Sequence, residues 1–149
     1  MTGKTHVSLG VAFAAPLVTT YSYNIEYILV ALIGAIAADF DVNLPIKHRT
    51  WTHSILALSI STIILSTFDK SIALFWFVGY STHLVADSFT KMGVPFFYPF
   101  IKENYGLKLC TTGKTTDILI RYIALIAIFY FCYIYILNTV NFNFLLGLQ

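Results

Sequence analysis

Long apolar runs separated by short polar segments divide this chain of 149 residues into five hydrophobic segments. The runs cover residues 7–20, 25–38, 54–68, 72–90 and 118–138. A membrane-spanning helix takes about 20 residues, so the first three runs either extend into flanking residues or enter the bilayer without crossing it. The alternation typical of a barrel is absent, and an isolated strand cannot satisfy its backbone in lipid. The pattern therefore predicts an all-α integral membrane bundle of about five helices.

The composition agrees with a membrane protein, because 58% of the residues are hydrophobic and 11% are charged, with a mean hydropathy of +0.76. The length predicts a single domain over residues 1–149. A net charge of +2 gives no basic face for nucleic acid. Cys110 falls in a loop and Cys132 in mid-helix, so we expect no disulfide between them. The first apolar run lacks a convincing cleavage site, and we expect it to stay as an anchor.

The basic residues favour one orientation in the membrane. The short connections at 21–24 and 69–70 carry only Lys70, whereas the N-terminus and the connections at 39–53 and 91–117 carry the remaining loop cations. Those cations are Lys4, Lys47, Arg49, Lys91, Lys102, Lys108 and Lys114. The positive-inside rule then predicts that these segments face the cytoplasm of a bacterial-type inner membrane, with the N-terminus inside.

All four histidines and four of the five aspartates fall on that same side. They are His6, Asp39, Asp41, His48, His53, His83, Asp87 and Asp117. Because the orientation was assigned from lysine and arginine alone, this convergence is an independent observation. Ionisable groups are costly near lipid and tend to be functional there. We therefore predict a multinuclear metal site at the cytoplasmic end of the bundle.

Two pairs of these residues have informative spacing. His83 and Asp87 are four residues apart and share a helix face, where they can ligate one ion, or Asp87 can orient a ligating His83. The alternative is a hydrogen bond that satisfies both groups inside the bundle. Asp39 and Asp41 converge only if their helix ends there, and such close carboxylates repel unless a cation lies between them. The alternative is a solvated helix end, which the helix dipole disfavours.

The segment at residues 48–54 is the most distinctive. Thr50 or Thr52 is expected to cap the third helix, with His53 in its first turn. His48 would lie in the preceding loop, turned toward the same centre. Arg49 either clamps a phosphate through its planar fork or anchors the chain at the membrane surface.

The ligand types limit the choice of metal. Four aspartates carry a charge of about −4, which two divalent cations would cancel, with neutral imidazoles completing the coordination. Mixed His/Asp ligation suits zinc, manganese or iron better than calcium. The surplus of ligands suggests a two-metal hydrolytic centre. Asp117, at the start of the last helix, needs no role beyond capping.

At these residues the chain resembles the YdjM-type inner-membrane proteins, a family described as membrane-bound metal-dependent hydrolases and linked in some bacteria to LexA regulation. The resemblance covers most of the chain and runs through residues 5–10, 38–41 and 48–54 to 83–93. Its Thr-His-Ser and His-x-x-x-Asp-Ser strings are fairly specific in this order. Ala38 stands where the family usually has proline, and Asp117 where a glutamate is common. A distant similarity of the family to zinc phospholipase C and P1-type nucleases implies phosphoester hydrolysis.

Together, the residues and the resemblance predict a metallohydrolase that cleaves a phospholipid or lipid-linked phosphoester with a metal-activated water. We expect Asp39, Asp41, His83 and Asp87 as core ligands, completed by His6, His48 and His53. Arg49 is the candidate for the phosphate. An aspartate that binds no metal, Asp41 or Asp117, is the candidate general base.

Other classes remain open at this stage. A transporter or channel for metal ions or protons would need polar residues across the whole membrane, but the opposite half of the bundle is almost wholly apolar. A haem protein with paired histidines fits the clustered aspartates poorly. A non-catalytic membrane protein with a structural metal would bind metal and turn over no phosphoester.

Overall fold

The computed structural model describes residues 1–43 and 49–145, and within them the chain is all-helical. The helices are α1 (Gly3–Tyr21), α2 (Tyr27–Ala37), α3 (Ile55–Ser66), α4 (Lys70–Ser88) and α5 (Thr115–Leu145). Apart from two isolated bridges in the connection between α4 and α5, these residues contain no β-structure. The predicted all-α architecture with five helices is confirmed.

The first helix begins earlier than its apolar run. The carbonyl of Thr2 accepts the N–H groups of Thr5 and His6 at 2.9 and 3.1 Å, so α1 already starts at Gly3. The expectation that His6 precedes the helix was therefore wrong. Hydropathy marked the start of the apolar run at residue 7, but polar residues buried against other helices extend the helix by one turn.

The start of α3 also differs from the expectation. A 3-10 turn at Trp51–His53 precedes the helix, and Ser54 caps it, since its hydroxyl accepts the N–H of Ala57 at 3.1 Å. The predictions that Thr50 or Thr52 caps α3 and that His53 lies in its first turn were wrong, because His53 lies in the preceding 3-10 turn. Thr52 instead uses its hydroxyl to bind a carboxylate in the connection that follows α2.

Close backbone contacts hold α1, α2 and α4 together at the centre of the fold, with α3 packed on α4 and α5 packed on α1. A Cβ atom at Gly79 would lie 2.0 Å from the carbonyl oxygen of Ala31, and one at Gly34 would lie 2.7 Å from that of Trp76. A Cβ at Gly10 would lie 2.6 Å from the Cβ of Ala35. The three helices thus approach at positions where only glycine fits, which brings their polar ends together.

One helix among the described residues is both long and apolar enough to cross a membrane, over Thr115–Asn141. Only 6% of its apolar window is buried inside the protein. Ile126 and Phe129, for example, are 68% and 73% exposed. This helix packs mainly on α1 and presents most of its apolar surface outward.

Candidate metal centre

Four elements meet at one end of the fold and bring the histidines and aspartates together. They are the first turns of α1, the last turn of α4, the 3-10 turn at Trp51–His53 and a second 3-10 turn, Ala38–Asn43, that continues α2. His6, His53 and His83 are fully buried, and Asp87 is 1% exposed. Burial of so many ionisable groups in one place is costly unless they are paired or bind a cation.

Two groups of three side chains have ligand atoms that all lie within 4.8 Å of one another. The first group is His6, His83 and Asp87, and the second is Asp39, His53 and His83. His83 belongs to both groups. The described part of the chain therefore contains one composite centre of three imidazoles and two carboxylates, arranged around the His83 ring.

The orientation of the His83 ring is set by the backbone of α2. Nδ1 lies 2.7 Å from the carbonyl oxygen of Ala35, and because a carbonyl only accepts, Nδ1 must carry the proton. The lone pair is then on Nε2, which lies 3.2 Å from His53 Nε2 and 3.5 Å from Asp39 Oδ1. This is the arrangement in which proteins hold a metal-ligating histidine.

His6 provides an independent indication that the centre suits a metal ion. Its ring stacks on that of His83, with centroids 3.7 Å apart. Nε2 lies 3.2 Å from Asp87 Oδ1, yet neither ring nitrogen makes a hydrogen bond of acceptable geometry to any described residue. A buried imidazole without hydrogen bonds is costly. An ion bound at Nε2 would satisfy this nitrogen, so the residues present fit a metal.

Asp39 and Asp41 lie on different sides of His53. Asp39 Oδ1 is 3.5 Å from His53 Nε2, within the centre. Asp41 Oδ2 is 3.6 Å from His53 Nδ1 and accepts hydrogen bonds from the hydroxyl of Thr52 at 2.6 Å and from the backbone N–H of Arg49 at 3.1 Å. Asp41 thus belongs to neither three-residue group. It contacts the Nδ1 side of His53, which is a member of the second group.

Asp39 is the most exposed acidic group of the centre, with 31% of its side chain accessible. Burial favours a higher pKa for its carboxyl, but the hydrogen bond with His53 and the electrostatic interactions with the neighbouring histidines outweigh burial. The pKa of Asp39 therefore lies below its ordinary value. The carboxylate stays ionised, as metal binding requires.

Arg49 is buried and reaches the same centre. Its NH2 group lies 2.5 Å from Asp87 Oδ2, while NH1 donates to the carbonyl of Gly93 at 2.9 Å and to the hydroxyl of Thr90 at 3.3 Å. The α-amino group of Met1 contacts the other oxygen of Asp87. Nε of Arg49 is buried and has no hydrogen-bond partner among the described residues. The guanidinium is therefore not a solvent-exposed anchor, and it retains one unsatisfied donor.

Asp117 lies in the first turn of α5 and is 1% exposed. Its Oδ2 accepts the backbone N–H groups of Gly113 at 2.7 Å and Thr2 at 3.1 Å, so the carboxylate joins the start of α1 to the start of α5. It belongs to neither three-residue group of described side chains. Neither N–H group belongs to α5, so the capping interpretation and the role as a general base both stay predictions. His48 lies outside the described residues.

Some residues that support the centre were not identified from the sequence. The carbonyl of Ala35 sets the tautomer of His83, and nothing distinguishes this alanine from its apolar neighbours. Thr52 and Thr90 support Asp41 and Arg49. Each threonine lies within three residues of a predicted ligand, and that proximity was the one available signal.

Comparison with known proteins agrees with the resemblance seen in the sequence. The family model of the YdjM inner membrane proteins matches residues 1–145. One relative, the uncharacterized protein YvsG of Bacillus subtilis (strain 168), is 28% identical over 153 residues, which cover 88% of this chain and 94% of the relative. No solved structure matches the chain.

Proposed function

This chain belongs to the family of YdjM inner membrane proteins, and from that membership and the geometry of the buried centre we propose that it is an integral membrane metallohydrolase. The observation that carries the proposal is the composite His/Asp centre, in which His83 directs a lone pair inward and His6 lacks hydrogen-bond partners among the described residues. The reaction we propose is hydrolysis of a phosphoester in a phospholipid or lipid-linked substrate.

The donor set supports a transition metal. Three imidazoles and two carboxylates suit zinc, and also manganese or iron, better than calcium or magnesium. When bound, such an ion activates a water molecule and stabilises charge on the phosphate. His6, His53, His83, Asp39 and Asp87 would hold it.

Two features favour one resident ion, rather than the two predicted from four aspartates. Asp117 accepts its hydrogen bonds elsewhere, so the described acidic groups around the centre are Asp39, Asp41 and Asp87. Arg49 and the α-amino group of Met1 both contact Asp87, so these described groups together carry a charge of about −1, which two divalent cations would overcompensate. His83 also offers a single lone pair. Among the described residues, no further group of three ligands is present for a second ion.

The side chains around the ion have separate tasks in this proposal. Arg49 orients Asp87 through its NH2 group, and its unsatisfied Nε is our candidate donor to a phosphate oxygen. Asp41 and Thr52 hold the back of the His53 ring. Asp39 is the accessible carboxylate of the centre.

We further propose that the whole chain is one membrane-embedded domain whose N-terminus and metal centre face the cytoplasm. Helices α1 and α4 have 19 residues each, a length of about 28 Å that approaches the roughly 30 Å of a bilayer core. Large apolar side chains are also exposed on helices other than α5. Phe13, Leu29 and Ile63 are 62%, 62% and 64% exposed. Such surfaces favour contact with lipid.

Metal content and turnover together test the proposal. Detergent-purified protein, repleted with zinc, manganese or iron, should retain about one equivalent by elemental mass spectrometry. His83→Ala should lose it, because both ligand groups contain this residue. Asp69→Ala is the matched control, since Asp69 caps α4 at the opposite end. The loaded protein should hydrolyse phospholipids in mixed micelles.

Each contrary result has a defined meaning. Absence of bound metal after repletion would refute the metallohydrolase. Stoichiometric metal without hydrolysis of any phosphoester would indicate a membrane protein with a structural metal. Metal retained by His83→Ala would refute the assignment of the centre.

A further inference from the structure

An apolar groove runs along the side of α1 that faces α4 and α5. It consists of two cavities of about 450 and 470 Å³, which share Leu9, Phe13 and Ile120 as lining residues. The two cavities therefore lie next to each other along α1. Ser81 and Thr82 are the polar side chains that line it, and their hydroxyls donate to carbonyls within α4. The surface presented to an occupant is therefore apolar along its whole length.

The groove begins beside the metal centre. Ala86, in its wall, immediately precedes Asp87, and Leu9 lies one helical turn beyond His6. From there the groove follows α1 and α5 away from the centre and ends near Phe131. A molecule lying in it would have one end next to the His/Asp cluster and the rest in apolar surroundings.

The length of the groove corresponds to one leaflet of a bilayer. Phe131 lies 11 residues after Ile120 on α5 (131 minus 120), which is about 16 Å along the helix axis. Half of a hydrocarbon core of roughly 30 Å is about 15 Å. The α5 wall of the groove is thus about as long as the acyl chains of a single leaflet.

The groove is also continuous with the apolar surface of α5, the helix that is long and apolar enough to span a membrane. Phe13 on one wall is 62% exposed, Val85 on another is 53% exposed, and Ile123 on α5 is 67% exposed. The groove is therefore open sideways along its length. A chain could enter it from the surrounding lipid without passing through water.

We propose that this groove holds one acyl chain of a membrane lipid whose phosphate-bearing headgroup lies at the metal centre. The placement of the headgroup rests on the proposed function. The groove then supplies binding energy remote from the reacting phosphate, which selects a substrate anchored in the adjacent leaflet. Water-soluble phosphoesters lack this contribution.

Photolabelling tests the proposal without requiring turnover. The full chain is reconstituted in phosphatidylglycerol vesicles that contain phosphatidylglycerol with a diazirine on one acyl chain, and labelled residues are located by mass spectrometry. We expect about tenfold more label at Phe13 and Ile123 than at Ile63 of α3, the ratio that a preference of ~1.4 kcal/mol gives. Ile63 is a matched reference, because it is 64% exposed and lies outside the groove.

A variant in which a larger side chain fills the groove provides the second part of the experiment. Ala127→Phe places a ring in the groove and should reduce labelling of its walls to the level of Ile63. Ala15→Phe is the control, because Ala15 lines a neighbouring apolar cavity of about 290 Å³ and not the groove. If Ala127→Phe does not fold, the wild-type labelling pattern decides by itself.

The outcomes separate this inference from the proposed function. Even labelling of all exposed apolar residues would overturn the groove. Metal content is measured on the same samples. A labelled groove in a protein that binds no metal would support the acyl-chain site and refute the metallohydrolase. Bound metal and turnover with even labelling would support the metallohydrolase and refute the acyl-chain site.

Discussion

Replacing Asp41 with asparagine tests how the centre is organised. The carboxylate lies 3.6 Å from His53 Nδ1 and accepts hydrogen bonds from Thr52 and the backbone of Arg49. Asparagine retains an oxygen of similar size for these donors but carries no charge. The variant therefore removes the carboxylate behind His53 and leaves the surrounding turn largely intact.

The expected magnitude follows from the position of Asp41 outside both ligand groups. Loss of a group that orients a ligating histidine weakens metal binding by about 10- to 100-fold, or ~1.4–2.8 kcal/mol. Asp41→Asn should therefore still bind metal, with a dissociation constant raised by that factor. Thr52→Val removes the 2.6 Å hydrogen bond but keeps the charge, and should weaken binding by less than about tenfold.

The assay is a zinc titration against a chromophoric chelator in detergent, with thermal unfolding to establish that each variant is folded. An unchanged dissociation constant in Asp41→Asn would refute any action of Asp41 on His53. Complete loss of binding, equal to that of His83→Ala, would show that Asp41 is itself a ligand, as the sequence predicted.

Three further predictions concern stability. Chelating the metal should lower Tm, because an ion present at 100 times its Kd stabilises the fold by about 2.7 kcal/mol. Gly79→Ala should destabilise by about 1–3 kcal/mol through a clash with α2, while Gly3→Ala, with nothing within 4 Å, should not; equal Tm values would contradict the close helix packing. Ser54→Ala and Asp69→Ala should each cost about 1 kcal/mol as lost caps, but only the former, beside the metal centre, should weaken zinc binding in titration.

The number and type of the helices could be predicted from the sequence, because apolar runs and their breaks are local properties. The boundaries could not, as His6 illustrates. Polar residues at the start of α1 are helical because they are buried against α2 and α4, and hydropathy along one segment contains no information about such contacts.

The sequence by itself determined that this is an all-helical chain of the YdjM family, with most of its aspartates and the described histidines His6, His53 and His83 at one end. Only the tertiary structure decided which of these side chains face the metal centre and which support another side chain. Asp39 and Asp41 are equivalent in sequence, but the 3-10 turn directs one to each side of His53. Arg49 meets Asp87 across 38 residues (87 minus 49), and the His83 tautomer depends on a carbonyl of another helix. These contacts depend on how helices approach one another in space, which local patterns do not encode.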